Sequence, residues 1–154
     1  MSELDPWWIT GFVDGEGCFY VSFSVRESRK PSLEVRPGFS VSQTGKRNCP
    51  VLEKIQKRFG CGAIRYSAND GTYKYEVRSL DDLLTYILPF FQKYPFQTPK
   101  GQDFQNFIEV CSLMKRNLHK NREGLITILD LAYAMNPCGK RKYTKEYLLK
   151  LIRS

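Results

Sequence analysis

An α+β domain, an antiparallel sheet with helices on one face, is predicted by three observations. Two pairs of segments alternate strictly between apolar and polar residues, and each pair is joined as a hairpin. Helical segments with their own start and stop residues separate and follow these pairs. Strands joined by hairpins pair antiparallel, which leaves one sheet face for the helices and one for solvent. At 154 residues and 42% hydrophobic composition the chain suits one globular domain, residues 1–154.

The first helix is punctuated by Asp5 as cap, Pro6 at its first position, and Gly15 or Gly17 closing it in a left-handed conformation. Gly11 and Gly15 share a helix face with Trp8 and Phe12, so a second helix could approach closely there. In "CFYVSFSVR" (18–26), Phe19, Val21, Phe23 and Val25 face inward and Tyr20, Ser22, Ser24 and Arg26 outward. A loop with Arg29, Lys30 and Pro31 follows. In 32–44, Leu33, Val35, Phe39 and Val41 face inward and Glu34, Arg36, Ser40 and Ser42 outward, with a bulge or bend at Pro37-Gly38.

Pro50 starts a helix that Gly60 stops. Residues 62–67 and 72–79 form the second hairpin around Asn69-Asp70-Gly71. Residues 80–94 are helical and bent or interrupted at Pro89. A helix over 101–116 follows the Pro95/Pro99 linker, and shorter helices at 122–134 and 144–152 finish the chain.

The formal net charge of +8 suits a polyanionic partner, nucleic acid before an acidic membrane surface. No stretch is long and apolar enough to span a bilayer, and "MSELDPWW" lacks the basic start and apolar core of a signal peptide. A membrane role recedes. Five cysteines (18, 49, 61, 111 and 138) without a C-x-x-C pair, beside the single His119, support reduced thiols in an intracellular protein rather than a zinc site. An intracellular setting is expected, either an organelle (mitochondrion or chloroplast) or a bacterial or archaeal cytoplasm.

The outer sheet face carries Tyr20, Ser22, Ser24, Arg26, Glu34, Arg36, Ser40, Arg65, Ser67, Thr72 and Lys74. It is either merely solvated or DNA-binding, since a β-ribbon fits the major groove and such groups meet base edges and phosphates. Glu34 has the chemistry to accept a hydrogen bond from cytosine N4. Lys140-Arg141-Lys142 reads as phosphate contacts or a solvated run.

The stretch "ITGFVDGEG" (9–17) resembles the signature of the LAGLIDADG homing endonucleases, with Gly11, Phe12-Val13, Asp14, Gly15, Glu16 and Gly17 in the matching places. "FSVSQTGKRN" (39–48), "KYPFQTPKGQDFQNF" (93–107) and "NREGLITILDLAYAMN" (121–136) are similar to the family's second strand, linker and closing helices, in that order. The resemblance implies an αββαββα core with a saddle-shaped sheet and the motif helix at a dimer interface formed by Trp8, Gly11, Phe12 and Gly15. It implies a site-specific homing endonuclease, encoded in an intron or an intein, that makes double-strand breaks in a long, roughly palindromic DNA target. The single motif implies a homodimer. By position, Glu16 would be the catalytic, metal-binding acid and the Gly15 carbonyl a further ligand. Gln43, Arg47 and Lys100 would surround the reacting phosphate and water. Mg²⁺ is the implied cofactor, and Mn²⁺ or Ca²⁺ could occupy the same site. An RNA-splicing maturase of this fold, acting on intron RNA without cleavage, is the alternative. "DGEG" alone also suits a glycine-rich helix stop with solvated acids.

The chemistry supports the same place. Phosphodiester hydrolysis needs an activated water and stabilised negative charge, which a hard cation on oxygen ligands supplies. A helix C-terminus carries partial negative charge that welcomes such a cation.

Overall fold

A computed structural model describes residues 3–26, 33–136 and 140–154. The expected loop residues Arg29, Lys30 and Pro31, and Cys138, lie outside the described residues.

Helix α1 (Pro6–Glu16) starts as its sequence requires. Asp5 Oδ1 accepts hydrogen bonds from the Trp7 and Trp8 amides at 2.9 and 3.2 Å, and Pro6 sits where no amide proton is needed. Its end departs from expectation. Gly15 stays within the helix, and Gly17 is extended at φ −90° and ψ 170°, so neither closes it in a left-handed conformation. Space, not backbone freedom, calls for glycine at 17. A Cβ there would stand 2.6 Å from Val13 Cγ1 and 2.9 Å from the Val13 carbonyl oxygen. The helix therefore becomes strand β1 (Gly17–Val25) without a linker.

Strand β2 (Leu33–Thr44) passes through Pro37-Gly38 without a change of parity: Leu33, Val35, Phe39 and Val41 are all buried. A one-residue bulge would have reversed the faces beyond it, so of the expected bulge or bend the parity rules out the one-residue bulge. A short 3₁₀ turn (Lys46–Asn48) leads into α2 (Cys49–Phe59), which Gly60 ends in the left-handed region at φ +74°. Strands β3 (Ala63–Ser67) and β4 (Thr72–Val77) flank a turn in which Asp70 accepts from the Thr72 amide at 3.1 Å. The four strands form one open antiparallel sheet in the order β1-β2-β4-β3.

Helix α3 (Leu80–Asp82) continues through a wide π turn (Leu83–Ile87) into α4 (Leu88–Lys93). The interruption expected at Pro89 falls just before it. Proline has no amide proton and crowds the preceding turn, and the wide turn, closed by Leu88 N–H to the Leu83 carbonyl, absorbs that misfit. Helices α5 (Lys100–Lys115), α6 (Arg122–Tyr133) and α7 (Lys145–Arg153) complete the chain. No described helix is long and apolar enough to cross a membrane.

The chain divides into two compact units, Met1–Phe19 with Gly38–Gly101, and Tyr20–Pro37 with Gln102–Ser154. The first has an aromatic core. Phe19 lies 5.1 Å from Phe39 and 5.6 Å from Phe96, and Phe91 lies 4.7 Å from Phe96, centroid to centroid. These contacts tie the start of β1 to β2, α4 and the segment before α5. In the second unit α6 packs against α7, and Asn106 of α5 donates to the Leu131 carbonyl at 3.4 Å. Arg141 stacks on Tyr133 at 4.3 Å and donates to the Val21 carbonyl at 3.1 Å and to the Ala132 carbonyl. It is a structural clasp, unlike the phosphate contact or solvated cation expected of it. Cys111 is fully buried, and burial pushes its thiol up to about 12.

The helix-to-strand joint gives the first prediction. Gly17→Ala forces a methyl group into Val13 and lowers stability by about 1–3 kcal/mol, measured by urea unfolding. Unchanged stability would show that the joint can yield.

Candidate functional site

The end of α1 gathers polar groups from three separate stretches of the first unit. Glu16, the last helical residue, is exposed. Gln43 Nε2 donates to Glu16 Oε2 at 3.4 Å and to the Ser42 carbonyl at 2.9 Å. Both N–H donors of the amide are thereby taken, which leaves its oxygen as an acceptor. The Lys100 ammonium donates to the Gly17 carbonyl at 2.5 Å, one residue beyond Glu16. A glutamate, an amide and an ammonium group therefore converge where a helix end presents its partial negative charge.

Strand parity explains how Gln43 gets there. It shares a face with the buried Phe39 and Val41, and it pairs across the sheet with Tyr73 and through it with Tyr66. Gln43 thus belongs to the helix side of β2, while its neighbours Ser42 and Thr44 belong to the opposite side.

Asp14 holds Lys100 in place. Its Oδ2 accepts from the Gln97 and Thr98 amides at 2.8 and 3.2 Å, and its Oδ1 from the Thr98 hydroxyl. Thr98 Oγ1 in turn accepts from the Lys100 amide at 3.2 Å. The linker is clamped to α1 two residues before Glu16, and Lys100 opens α5 against the helix end. The sequence alone gives Asp14 no role beyond its place in the motif and nothing that pairs it with Thr98. The available signal was the Asp14–Glu16 spacing, which puts two acids on different sides of the helix end.

Arg47 lies in the exposed 3₁₀ turn after β2, and its side chain forms no hydrogen bond or ion pair among the described residues. Among the described residues no group of three or more His, Cys, Asp and Glu could hold a metal. Glu16 and the Gly15 carbonyl make an all-oxygen donor set that suits a hard cation, incomplete without phosphate and water oxygens.

The outer-face candidates fall as follows. In the first unit Ser42, Lys74 and Arg65 form one cross-strand row and Thr44, Thr72 and Ser67 another, with Arg65, Ser67 and Lys74 exposed. Ser40 shares their parity but is only 7% exposed, opposite Glu76, which is equally buried. Glu76 meets Arg65 Nε at 3.5 Å and Arg78 Nη2 at 2.7 Å. In the second unit Ser22 donates to the Arg36 carbonyl at 3.3 Å, and Tyr20 and Ser24 are half-buried. There Glu34 pairs with Arg26 at 2.7 Å and Arg36 at 3.4 Å. Sequence reasoning missed Glu76 and Arg78.

On α1, Trp8 is 46% exposed and stacks on Phe12 at 5.1 Å. A Cβ added at Gly11 or Gly15 would meet nothing within 4 Å. The four residues make an open apolar stripe beside Glu16.

Residues 9–111 match the family model described as LAGLIDADG endonuclease. The chain is 30% identical over 130 residues to the probable intron-encoded endonuclease 2 of Neurospora crassa, covering 84% of this chain and 27% of that protein. It spans about a quarter of the length of the first curated relatives that it matches. The homing endonuclease I-TnaI is 38% identical with a TM-score of 0.84, covering 99% of this chain and 98% of its own. I-SmaMI bound to its uncleaved DNA target in the presence of calcium ions is 33% identical with a TM-score of 0.87, covering 99% of this chain and half of its own. With its motif helix ending on Glu16 and its αββαββ order intact, the chain belongs to the LAGLIDADG endonuclease family.

Proposed function

We propose that this chain is a site-specific DNA endonuclease unit that hydrolyses phosphodiester bonds with a divalent cation, Mg²⁺ first, held at the end of α1. The observation that carries this reading is the convergence of Glu16, Gln43 and Lys100 on one helix end. Glu16 and the Gly15 carbonyl would hold the cation, with phosphate and water oxygens completing its shell. When bound, it polarises phosphate oxygens and lowers the pKa of a coordinated water.

The chain's own residues do the rest. The Gln43 amide, fixed by Glu16 and the Ser42 carbonyl, offers its oxygen to orient the attacking water. The Lys100 ammonium, anchored on the Gly17 carbonyl, places positive charge where the transition state gathers negative charge. Asp14 fixes the linker that carries Lys100. Arg47, on the neighbouring turn, is a candidate to meet the phosphate once DNA is bound. The exposed polar residues of the sheet would contact bases and phosphates, as would Tyr20 and Ser24.

Cleaving both strands requires two such sites. The open stripe of Trp8, Gly11, Phe12 and Gly15 supports a two-fold pairing of α1 helices that brings two Glu16 carboxylates together at the centre. That the chain matches half of I-SmaMI but nearly all of I-TnaI is consistent with one chain supplying one site. Intron-encoded relatives support a target in the genome of whichever compartment carries the intron. A maturase acting on intron RNA would bind nucleic acid without cutting duplex DNA, so a cleavage assay separates the two readings.

Three results are expected. Incubated with Mg²⁺ and a randomised duplex library, the protein cuts a selected sequence, and Glu16→Gln reduces the rate at least ~10³-fold while binding persists. A Glu16→Gln variant that cuts normally would remove Glu16 from the site. Asp14→Ala lowers stability by about 1.5–3 kcal/mol in urea unfolding and slows cleavage by displacing Lys100. Full activity in that variant would show that Lys100 does not need the clamp. In sedimentation, the protein runs at twice its chain mass, and Gly11→Glu runs as a monomer. A monomeric wild-type protein that still makes double-strand breaks would contradict the two-fold pairing.

A further inference from the structure

Two glutamates occupy positions where negative charge should oppose DNA. Glu34 lies on β2 in the second unit and Glu76 on β4 in the first. A carboxylate facing phosphates and base acceptors is repelled unless cations neutralise it. Each of these has two arginines on it. Arg26 Nε lies 2.7 Å from Glu34 Oε2 and Arg36 Nε 3.4 Å from Glu34 Oε1. Arg65 Nε lies 3.5 Å and Arg78 Nη2 2.7 Å from Glu76 Oε1. The glutamate side chains are the sheltered members, 32% and 6% exposed, against 44–63% for the arginines.

The atoms used matter more than the pairing itself. Arg26, Arg36 and Arg65 all meet their glutamate through Nε, the side of the guanidinium. Arg36 donates a hydrogen bond there, and Arg26 and Arg65 approach as ion pairs with Nε as the contact atom. A guanidinium held on that side can turn its terminal Nη pair to guanine O6 and N7 in the major groove. An arginine held from the side loses less side-chain freedom on binding. Each carboxylate also cancels one of its two positive charges, which weakens sequence-independent attraction to phosphates and so raises discrimination.

We propose that Glu34 and Glu76 are positioning residues for target specificity, holding Arg26, Arg36 and Arg65 side-on so that their terminal forks read guanine. The proposal rests on the DNA-cleaving reading above and goes beyond it. It assigns Glu34 an indirect role in place of accepting from cytosine, and it gives Glu76 a function. Arg78, which meets Glu76 through Nη2, serves as its counter-charge.

The test is sequence selection from a duplex library randomised along its length, with wild-type protein and the variants Glu34→Gln, Glu76→Gln, Arg36→Ala and Arg65→Ala. Glutamine keeps the shape and removes the charge. The wild-type protein is expected to enrich guanine at defined positions. Glu76→Gln should lose about 5- to 100-fold of that preference at the position that Arg65→Ala also relaxes, and Glu34→Gln at the position shared with Arg36→Ala. Both glutamine variants should bind non-selected DNA at least as tightly as the wild type, and thermal melting should report them folded. Should Glu76→Gln fail to fold, the more exposed Glu34→Gln carries the same test. Unchanged preference in the glutamine variants overturns the proposal. Relaxation at a position that the arginine variants leave intact also overturns it, since the glutamate would then read the base itself. A wild-type protein that selects no sequence removes the DNA-cleaving reading and this proposal together.

Discussion

The site depends on a joint with no slack. Between Glu16 and the first strand residue there is no linker, because Gly17 brings the strand so close to Val13 that a single methyl group would not fit. The carbonyl of that same residue anchors the Lys100 ammonium. One position therefore ends the helix, starts the strand and anchors the Lys100 ammonium. A flexible connection here would let Glu16 drift relative to Gln43, and misplacing a reacting group by an ångström is costly in catalysis.

Around that joint, hydrophobic packing and polar clamping divide the work. The aromatic cluster of Phe19, Phe39, Phe91 and Phe96 sets the distance between the start of β1, the strand that carries Gln43 and the segment that leads to Lys100. Packing of this kind is strong but non-directional. Direction comes from Asp14, whose carboxylate takes the Gln97 and Thr98 amides and orients the residues just before Lys100. The motif's two acids thus have opposite fates. One is spent on the linker inside the protein, and the other stays exposed at the helix end.

Much of this was legible in the sequence because the signals were local. Alternation along 18–26 and 32–44, the Asp5-Pro6 start, Gly60 and the Asn69-Asp70-Gly71 turn each fix nearby backbone by simple sterics or hydrogen bonding. The family resemblance also singled out Glu16, Gln43 and Lys100. The rest turned on packing and pairing that residue preferences alone do not encode, whether the partner is near or far along the chain. Gly17 suits a left-handed cap by residue type, but its place is set by the contact with Val13, and the strand keeps its alternation through Pro37-Gly38 without a one-residue bulge. Asp14 had no visible role without Thr98, more than 80 residues away. Glu76, on an alternating strand, gave no sign that two arginines would enclose it, and Arg141 gave none that it would cap carbonyls from within.

The claim that matters most is that the end of α1 holds the cation that the reaction requires. Anomalous diffraction from crystals of the protein on its selected duplex, grown with Mn²⁺, tests this directly. The account predicts a manganese peak about 2.0–2.2 Å from a Glu16 carboxylate oxygen, with phosphate oxygens in its shell. A peak bound elsewhere, with Glu16 uncoordinated beside an intact or cut phosphate, would contradict it.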